Sequence, residues 1–229
     1  MDLGRGKNMV NCPICFEIKG VIHPNHNKNY SKQILLSANI IWEDDFIAIL
    51  PSIGALNDSH VLVVPKRHVN SICELTEEEL LSFVNATKML DKLFLNKVIF
   101  FEHGSYFQNQ DTTASSIIHA HLHALCLEDD SELKNWFTNS FNNVQNVQKI
   151  NFCDFLNIRD KLKTNYIFYQ GLDDKGLIAY SEKFESQIMR KQISKLTNVQ
   201  WNWREHDNFD IVKSVIEKYR YLMKEVVDE

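Results

Sequence analysis

No stretch of this chain approaches the about 18 consecutive apolar residues that a membrane-spanning helix requires. Its first residues, MDLGRGKNMVNC, lack the apolar segment of a secretory signal. A cytoplasmic protein with no membrane partner is therefore expected. Nor is there a basic excess: 25 Lys and Arg stand against 30 Asp and Glu, a net charge of −5. That balance argues against a surface for a nucleic-acid polymer, although a small basic pocket for phosphate would not show in the total. A disulfide framework is missing too. The five cysteines (Cys12, Cys15, Cys73, Cys126, Cys153) are odd in number and scattered apart from one C-x-x-C, which suits a reducing compartment. No internal repeat or low-complexity block interrupts the chain. What remains, 229 residues of which 44% are hydrophobic, is enough for one large domain, or a domain with a sizeable extension, that folds without staples.

The apolar residues that are present fall into short runs. "QILLSANIIWEDDFIAIL" reads as two β-leaning runs separated by "WEDD", and "HVLVVPK" as a strand stopped by Pro65, with the loop "PSIGALNDS" between them. Thr76 followed by Glu79 has the form of a capping box, and Leu80, Phe83, Val84, Thr87 and Leu90 continue at helical spacing. "KVIFFEHG" and "IIHAHLHALCL" return to strand, on either side of the polar "SYFQNQDTTASS". Strands flanking one long helix predict an α+β core with an antiparallel sheet over residues 1–128. Residues 129–229 read as a mixed α/β extension packed on that core. It has a helix through Trp136 to Phe141, a hairpin of "NYIFYQ" and "LIAYS", and helices near 183–196 and 208–225.

Within "SSIIHAHLHALCL", His119, His121 and His123 occupy alternate positions. Side chains alternate faces along a strand, and i, i+2 neighbours lie about 6.5–7 Å apart, so the three imidazoles would share one face while Ala120, Leu122 and Ala124 face the core. Aligned imidazoles are costly to bury unpaired. Two chemistries suit them: metal ligation, and phosphate transfer in which a histidine is nucleophile or proton donor near neutral pH.

"HAHLHAL" has the form His-φ-His-φ-His-φ-φ, and "DSHVLVVPKRHV" and the N-terminal "CPIC" precede it in order. Over roughly residues 12–127 the chain thus resembles the histidine triad superfamily, in particular its zinc-carrying branch. The resemblance implies cleavage of a phosphoanhydride, phosphoester or phosphoramidate bond at a nucleotide's α-phosphorus. His121 would be the nucleophile, and His123 and Ser116 would contact phosphate; His60 would line the site. It also implies a nucleotide-containing small-molecule substrate and pairing into a homodimer. A third histidine stands where the transferase branch usually has glutamine, which favours a hydrolase over a nucleotidyltransferase or phosphorylase.

Zinc is the expected metal, with two competing ligand sets. The local set is Cys12, Cys15, His23 and His26; the set implied by the resemblance is Cys12, Cys15, His68 and His119. The second is favoured, because a closed Cys₂His₂ site would tie the N-terminus to two sheet segments and hold the catalytic strand. A hydrolase in which three histidines hold a catalytic zinc stays open as an alternative, as does a non-catalytic nucleotide-binding protein.

The sequence departs from the family in places. Pro51 falls where triad proteins commonly place an acid for the ribose hydroxyls. Glu102-His103-Gly104 replaces the usual Asn-x-Gly, with His103 a candidate site wall and Gly104 a turn needing free torsions. In the extension, Gln187, Arg190, Lys191, Trp201, Trp203 and Arg204 form a group able to close over a substrate, with Arg190 as the phosphate-gripping candidate.

Overall fold

Short runs of Val, Ile, Leu and Phe between polar turns pair into a single sheet. The computed structural model of the chain describes residues 12–21, 40–105, 117–147, 164–202, 205–206 and 208–227. The strands are β1 (Trp42–Glu43), β2 (Ile47–Pro51), β3 (Val61–Pro65), β4 (Val98–Gly104), β5 (Leu122–Cys126), β6 (Gln145–Val147), β7 (Asn165–Gln170) and β8 (Gly176–Ser181). They lie in the order β1-β2-β3-β5-β4-β7-β8-β6, every neighbouring pair antiparallel. The helices are α1 (Pro13–Ile18), α2 (Glu77–Leu93), α3 (Ser131–Ser140), α4 (Ile188–Thr197) and α5 (Phe209–Val227). The architecture is the expected α+β class. No helix among the described residues is long and apolar enough to cross a membrane.

Strand alternation sorts the core into two sides. Val61 and Val63 of β3 face the layer of α2 and α5, packing with Phe83, Leu90, Val215 and Tyr219. Leu62 and Val64 face the opposite layer, with Ile14 of α1. Further along that second face, Ile99, Phe101 and Leu125 meet Phe137 of α3 and Met189 and Ile193 of α4. A fully buried phenylalanine such as Phe83 contributes about 1.5–3 kcal/mol through removal of apolar surface from water. The capping box forms as expected. Thr76 Oγ1 accepts from the Glu79 N–H at 3.3 Å, and Glu79 Oε2 accepts from the Thr76 N–H at 2.8 Å. Glu79 also takes two hydrogen bonds from Arg67, at 2.7 and 2.6 Å, so the cap clamps the β3–α2 connection as well.

Three elements differ from their sequence expectation. The first hairpin turns at 44–46, because Asp44 Oδ1 accepts from the N–H groups of Phe46 and Ile47, at 2.9 and 2.7 Å. Trp42 and Glu43 are therefore in β1, and residues 33–39 of the first apolar run lie outside the described residues. The triad strand enters the ladder at Leu122; residues 117–121 are held off it by the Ala120 N–H donating to the Val69 carbonyl oxygen, at 2.7 Å. Polar "QNV" forms the edge strand β6. In the extension, β7 and β8 form the expected hairpin, and β7 pairs with β4 from Phe100 to Gly104, so the strands beyond residue 128 continue the same sheet.

Candidate active site

The register of β5 places His123 between Leu62 of β3 and Phe101 of β4, on the face under α1 and α4. The Phe101 ring stacks on it at 4.3 Å and 6°, which fixes the plane of the imidazole. Behind it lies His60, wholly buried at the start of β3. Its Nδ1 accepts from the Leu56 N–H at 3.0 Å, and its Nε2 lies 2.9 Å from His123 Nδ1. A ring nitrogen that accepts carries no proton, so neutral His60 is protonated on Nε2 and donates to His123 Nδ1. His123 must then carry its own proton on Nε2. Burial pushes both rings well below the usual histidine range; the Arg190 guanidinium adds to this for both, and His121, His60 and His103 add to it for His123.

His121 has the opposite arrangement. Its Nδ1 sits 2.6 Å from the His119 carbonyl oxygen, a contact that only an Nδ1–H can satisfy, so Nε2 holds the lone pair. Burial pushes the ring down to about 4 against the opposing pull of the hydrogen bond to the His119 carbonyl oxygen, and the charges of the His119 ring and Arg190 add to the lowering, so the imidazole is uncharged at neutral pH. His121 and His123, with ring centroids 5.0 Å apart, both line the same cavity. Ser52, His103, Glu17, Gln187 and Arg190 supply its other polar groups, and Pro13, Ile14, Ile53, Leu62 and Ile117 its apolar wall. Arg190, only 4% exposed, donates from Nε to the Trp201 carbonyl oxygen at 3.0 Å and from Nη1 to Ser52 Oγ at 3.4 Å. A further bond, from Nη2 to the Gly54 carbonyl oxygen, holds the guanidinium against the loop after β2.

A second cluster lies beside the first. Cys12 caps α1 and Cys15 lies in it, with Pro13 at its first position. His119 Nδ1 is 3.4 Å from each sulfur, and His68 Nδ1 is 3.3 Å from Cys15 Sγ. Nε2 of His119 lies 2.8 Å from the Pro65 carbonyl oxygen, so it carries the proton and Nδ1 turns its lone pair on the cysteines. One ligand atom from each of Cys12, Cys15, His68 and His119 lies within 4.8 Å of the others, a set that can hold a metal ion. Their two sulfurs and two nitrogens suit zinc of the closed, structural kind. The hydrogen bond shared by the two cysteines pushes the Cys15 thiol down, with help from His119 and His68, and pushes Cys12 up. His23 and His26 of the competing set lie outside the described residues.

Residues 35–130 match the family model of the HIT domain. That segment is similar to a HIT domain. An uncharacterized HIT-like protein of Methanocaldococcus jannaschii is 27% identical over 113 residues, 49% of this chain and 83% of that protein. Among solved structures, a HIT family hydrolase from Clostridium thermocellum matches 52% of this chain and 92% of its own, at 21% identity and a TM-score of 0.36. A hypothetical histidine triad nucleotide-binding protein from Sulfolobus tokodaii matches 54% and 87%, at 15% identity and a TM-score of 0.31.

Of the residues singled out in the sequence, His121, His123, His103, Gln187 and Arg190 line the cavity. His60 stands one layer behind, against His123, and Ser116, Trp203 and Arg204 lie outside the described residues. Gly104 is not the free turn that was expected. It ends β4 and pairs with Tyr166, and a Cβ there would run into the Tyr166 ring, so the glycine serves close approach between strands. Its neighbour Glu102 faces away from the cavity. Its carboxyl, pushed up to about 8 by burial, accepts from the Tyr166 hydroxyl and from the Ile72 N–H at 3.0 Å. Ser52, Glu17 and Ile14 had no signal in the sequence; tertiary contacts alone bring α1 and the loop after β2 to the triad.

Proposed function

We propose that the chain hydrolyses a nucleotide-containing phosphoanhydride or phosphoramidate at its α-phosphorus through a nucleotidyl–His121 intermediate. One observation carries this reading, the opposed protonation of the two cavity imidazoles. Nδ1 of His121 is committed to the His119 carbonyl oxygen and Nδ1 of His123 to the His60 ring, so one ring offers a lone pair and the other a proton. In the first step the His121 Nε2 lone pair forms a bond to phosphorus, in line with the P–O or P–N bond that breaks. The departing group leaves with that bond's electron pair, a phosphate as its anion and an amine with a proton taken from solvent, and the His123 Nε2–H, which stays on the neutral ring, donates a hydrogen bond to it. The cation created on His121 keeps its Nδ1–H on the His119 carbonyl oxygen, which stabilises it. In the second step water attacks the same phosphorus, and its proton passes to the phosphate product or to solvent. The bond to His121 then breaks, its lone pair returns, and a nucleoside monophosphate departs.

Arg190 is the group assigned to the phosphate oxygens, with Ser116 by resemblance; His103 is assigned to the wall, and His60 acts through His123. Cys12, Cys15, His68 and His119 would hold a zinc ion, which would brace α1 against the triad and take no part in the bond changes. Because His119 is turned to the cysteines, only two triad imidazoles are left at the cavity, one fewer than the three protein ligands of a catalytic zinc. The test is incubation of wild type and His121→Asn with dinucleoside polyphosphates, nucleoside phosphoramidates and nucleotide sugars, reading mononucleotide release and acid-labile label on the protein. Release by the wild type, lower by at least about 10³-fold in the variant, with label only on the wild type, is expected. Nucleotide binding without release by the wild type would establish the non-catalytic reading in its place. Metal analysis of the purified chain, with and without Cys12→Ser, checks the zinc assignment.

A further inference from the structure

Pro51 stands where the resemblance expects an acid for the sugar. In the structure it is buried in β2, paired with Val61, and is absent from the cavity wall. Recognition of whatever the phosphate carries must come from other lining groups. Gln187, from the segment beyond residue 130, is one of them. It is 6% exposed, and its Oε1 has no hydrogen-bond partner among the described residues. An amide oxygen buried in that state costs about 1–3 kcal/mol unless something else satisfies it.

The backbone at Gln187 adds a second, independent observation. It precedes α4 with φ 60° and ψ 23°, the left-handed region, where a side chain is disfavoured by about 1–2 kcal/mol. Glutamine there makes no side-chain cap for the helix, so the strain is not offset by capping. Strain held in place next to a reactive group is a mark of a ligand-directed side chain. On the same wall, Pro13, Ile14 and Ile53 offer an apolar surface suited to a planar ring. An amide beside such a surface presents an acceptor and, on its other atom, donors, the complement of a nucleobase edge.

We infer that Gln187 is a specificity-determining residue that reads a donor-bearing edge of the substrate's nucleobase. The inference rests on the nucleotide reading of the cavity and names what selects the nucleotide. It places base selection on the C-terminal segment, outside residues 35–130, while the triad supplies the phosphate chemistry.

The test is calorimetric binding of the four ribonucleoside 5′-monophosphates and their 2′-deoxy counterparts to the full chain, as wild type, Gln187→Leu and Gln187→Gly. The wild type should separate the best from the worst base by about tenfold or more. Both variants should bind all four within about twofold of the wild type's weakest base, with the ribose-to-deoxyribose ratio unchanged. Glycine adopts the left-handed backbone without penalty, so Gln187→Gly separates loss of the amide from loss of folding. The inference is overturned by a base preference that survives in both variants, by a wild type that binds all four bases alike or none, or by loss of the ribose preference instead. The readout does not depend on turnover. A base preference that needs Gln187, in a chain that releases no mononucleotide from any substrate, would sink the hydrolase reading and leave this one standing. Turnover with a base preference indifferent to Gln187 would do the reverse.

Discussion

At the scale of single residues, the site is defined by where four ring protons sit. The Leu56 N–H fixes the tautomer of His60, His60 fixes His123, and carbonyl oxygens fix His119 and His121. His60→Phe should therefore be informative, because it keeps a ring of similar size while removing the donor to His123 Nδ1. His123 is then free to place its proton on Nδ1 and lose its role at Nε2. A drop in kcat/KM of about 10²-fold or more is expected, by analogy with other sites where an orienting partner sets the tautomer. Labelling of His121 by substrates with good leaving groups should persist, since they need no hydrogen bond from His123. The same pair sets the acid limb. Burial and the Arg190 guanidinium hold His60 and His123 well below 6.5, and the neighbouring rings of His121, His60 and His103 add to this for His123. Both stay neutral as the pH falls through the ordinary histidine range, so kcat/KM should be flat from pH 8 to below 6 and decline only under more acid conditions. A profile with its midpoint at the ordinary histidine value would show that these rings are solvated.

Among elements, β4 joins the two faces of the molecule: Phe101 and His103 serve the cavity side, while Glu102 ties the strand to β7 through Tyr166 and to the segment before α2 through Ile72. Glu102 is held at about 8 by burial, against 4.5 for the free side chain. Its folded pKa is the higher, so the folded state keeps a proton that the unfolded chain releases. Its contribution is complete below the unfolded value and is lost as pH rises through about 8, at a slope approaching about 1.4 kcal/mol per pH unit. Glu102→Gln, which imitates the protonated acid, should remove that part of the slope, and denaturant unfolding of both proteins at pH 5, 6.5 and 8 measures it. Parallel curves would mean that the carboxyl is ionised in the fold. Elements of this kind were legible in the sequence where their signal was local: the Thr76–Glu79 cap, the "GLDDKG" hairpin and the alternate spacing of the histidines. What was not legible depended on contacts distant in sequence. The late start of β5 follows from the Val69 carbonyl oxygen capturing the Ala120 N–H, and the position of the first turn from the Asp44 side chain. β6 escaped notice because its first two residues, Gln145 and Asn146, are exposed and impose no apolar pattern. Arg190 was visible as a cation, but nothing in its neighbourhood of the sequence told that it would be buried against Ser52 and Gly54.

On the scale of the whole molecule, the extension is continuous with the HIT-like segment in both its sheet and its core. β7 fills the edge of β4 along Phe100–Gly104, α5 covers Val61 and Val63, and α4 delivers Gln187 and Arg190 to the cavity. In the full chain β4 has a partner strand on each side, β5 and β7. Cutting after residue 128 would strip β4 of β7 and leave a row of unpaired backbone N–H and C=O groups along Phe100–Gly104, an arrangement that templates pairing between chains. The fragment 1–128 is therefore expected to associate or precipitate where the full chain elutes as a monomer, a comparison made by size-exclusion chromatography with light scattering. The fragment's cavity, without Arg190, should turn over nucleotides at least about 10²-fold more slowly than the full chain. A monomeric fragment 1–128 with the full chain's kcat/KM would mean that sheet and site are both complete before residue 129, and that the strands and helices beyond it serve some other end.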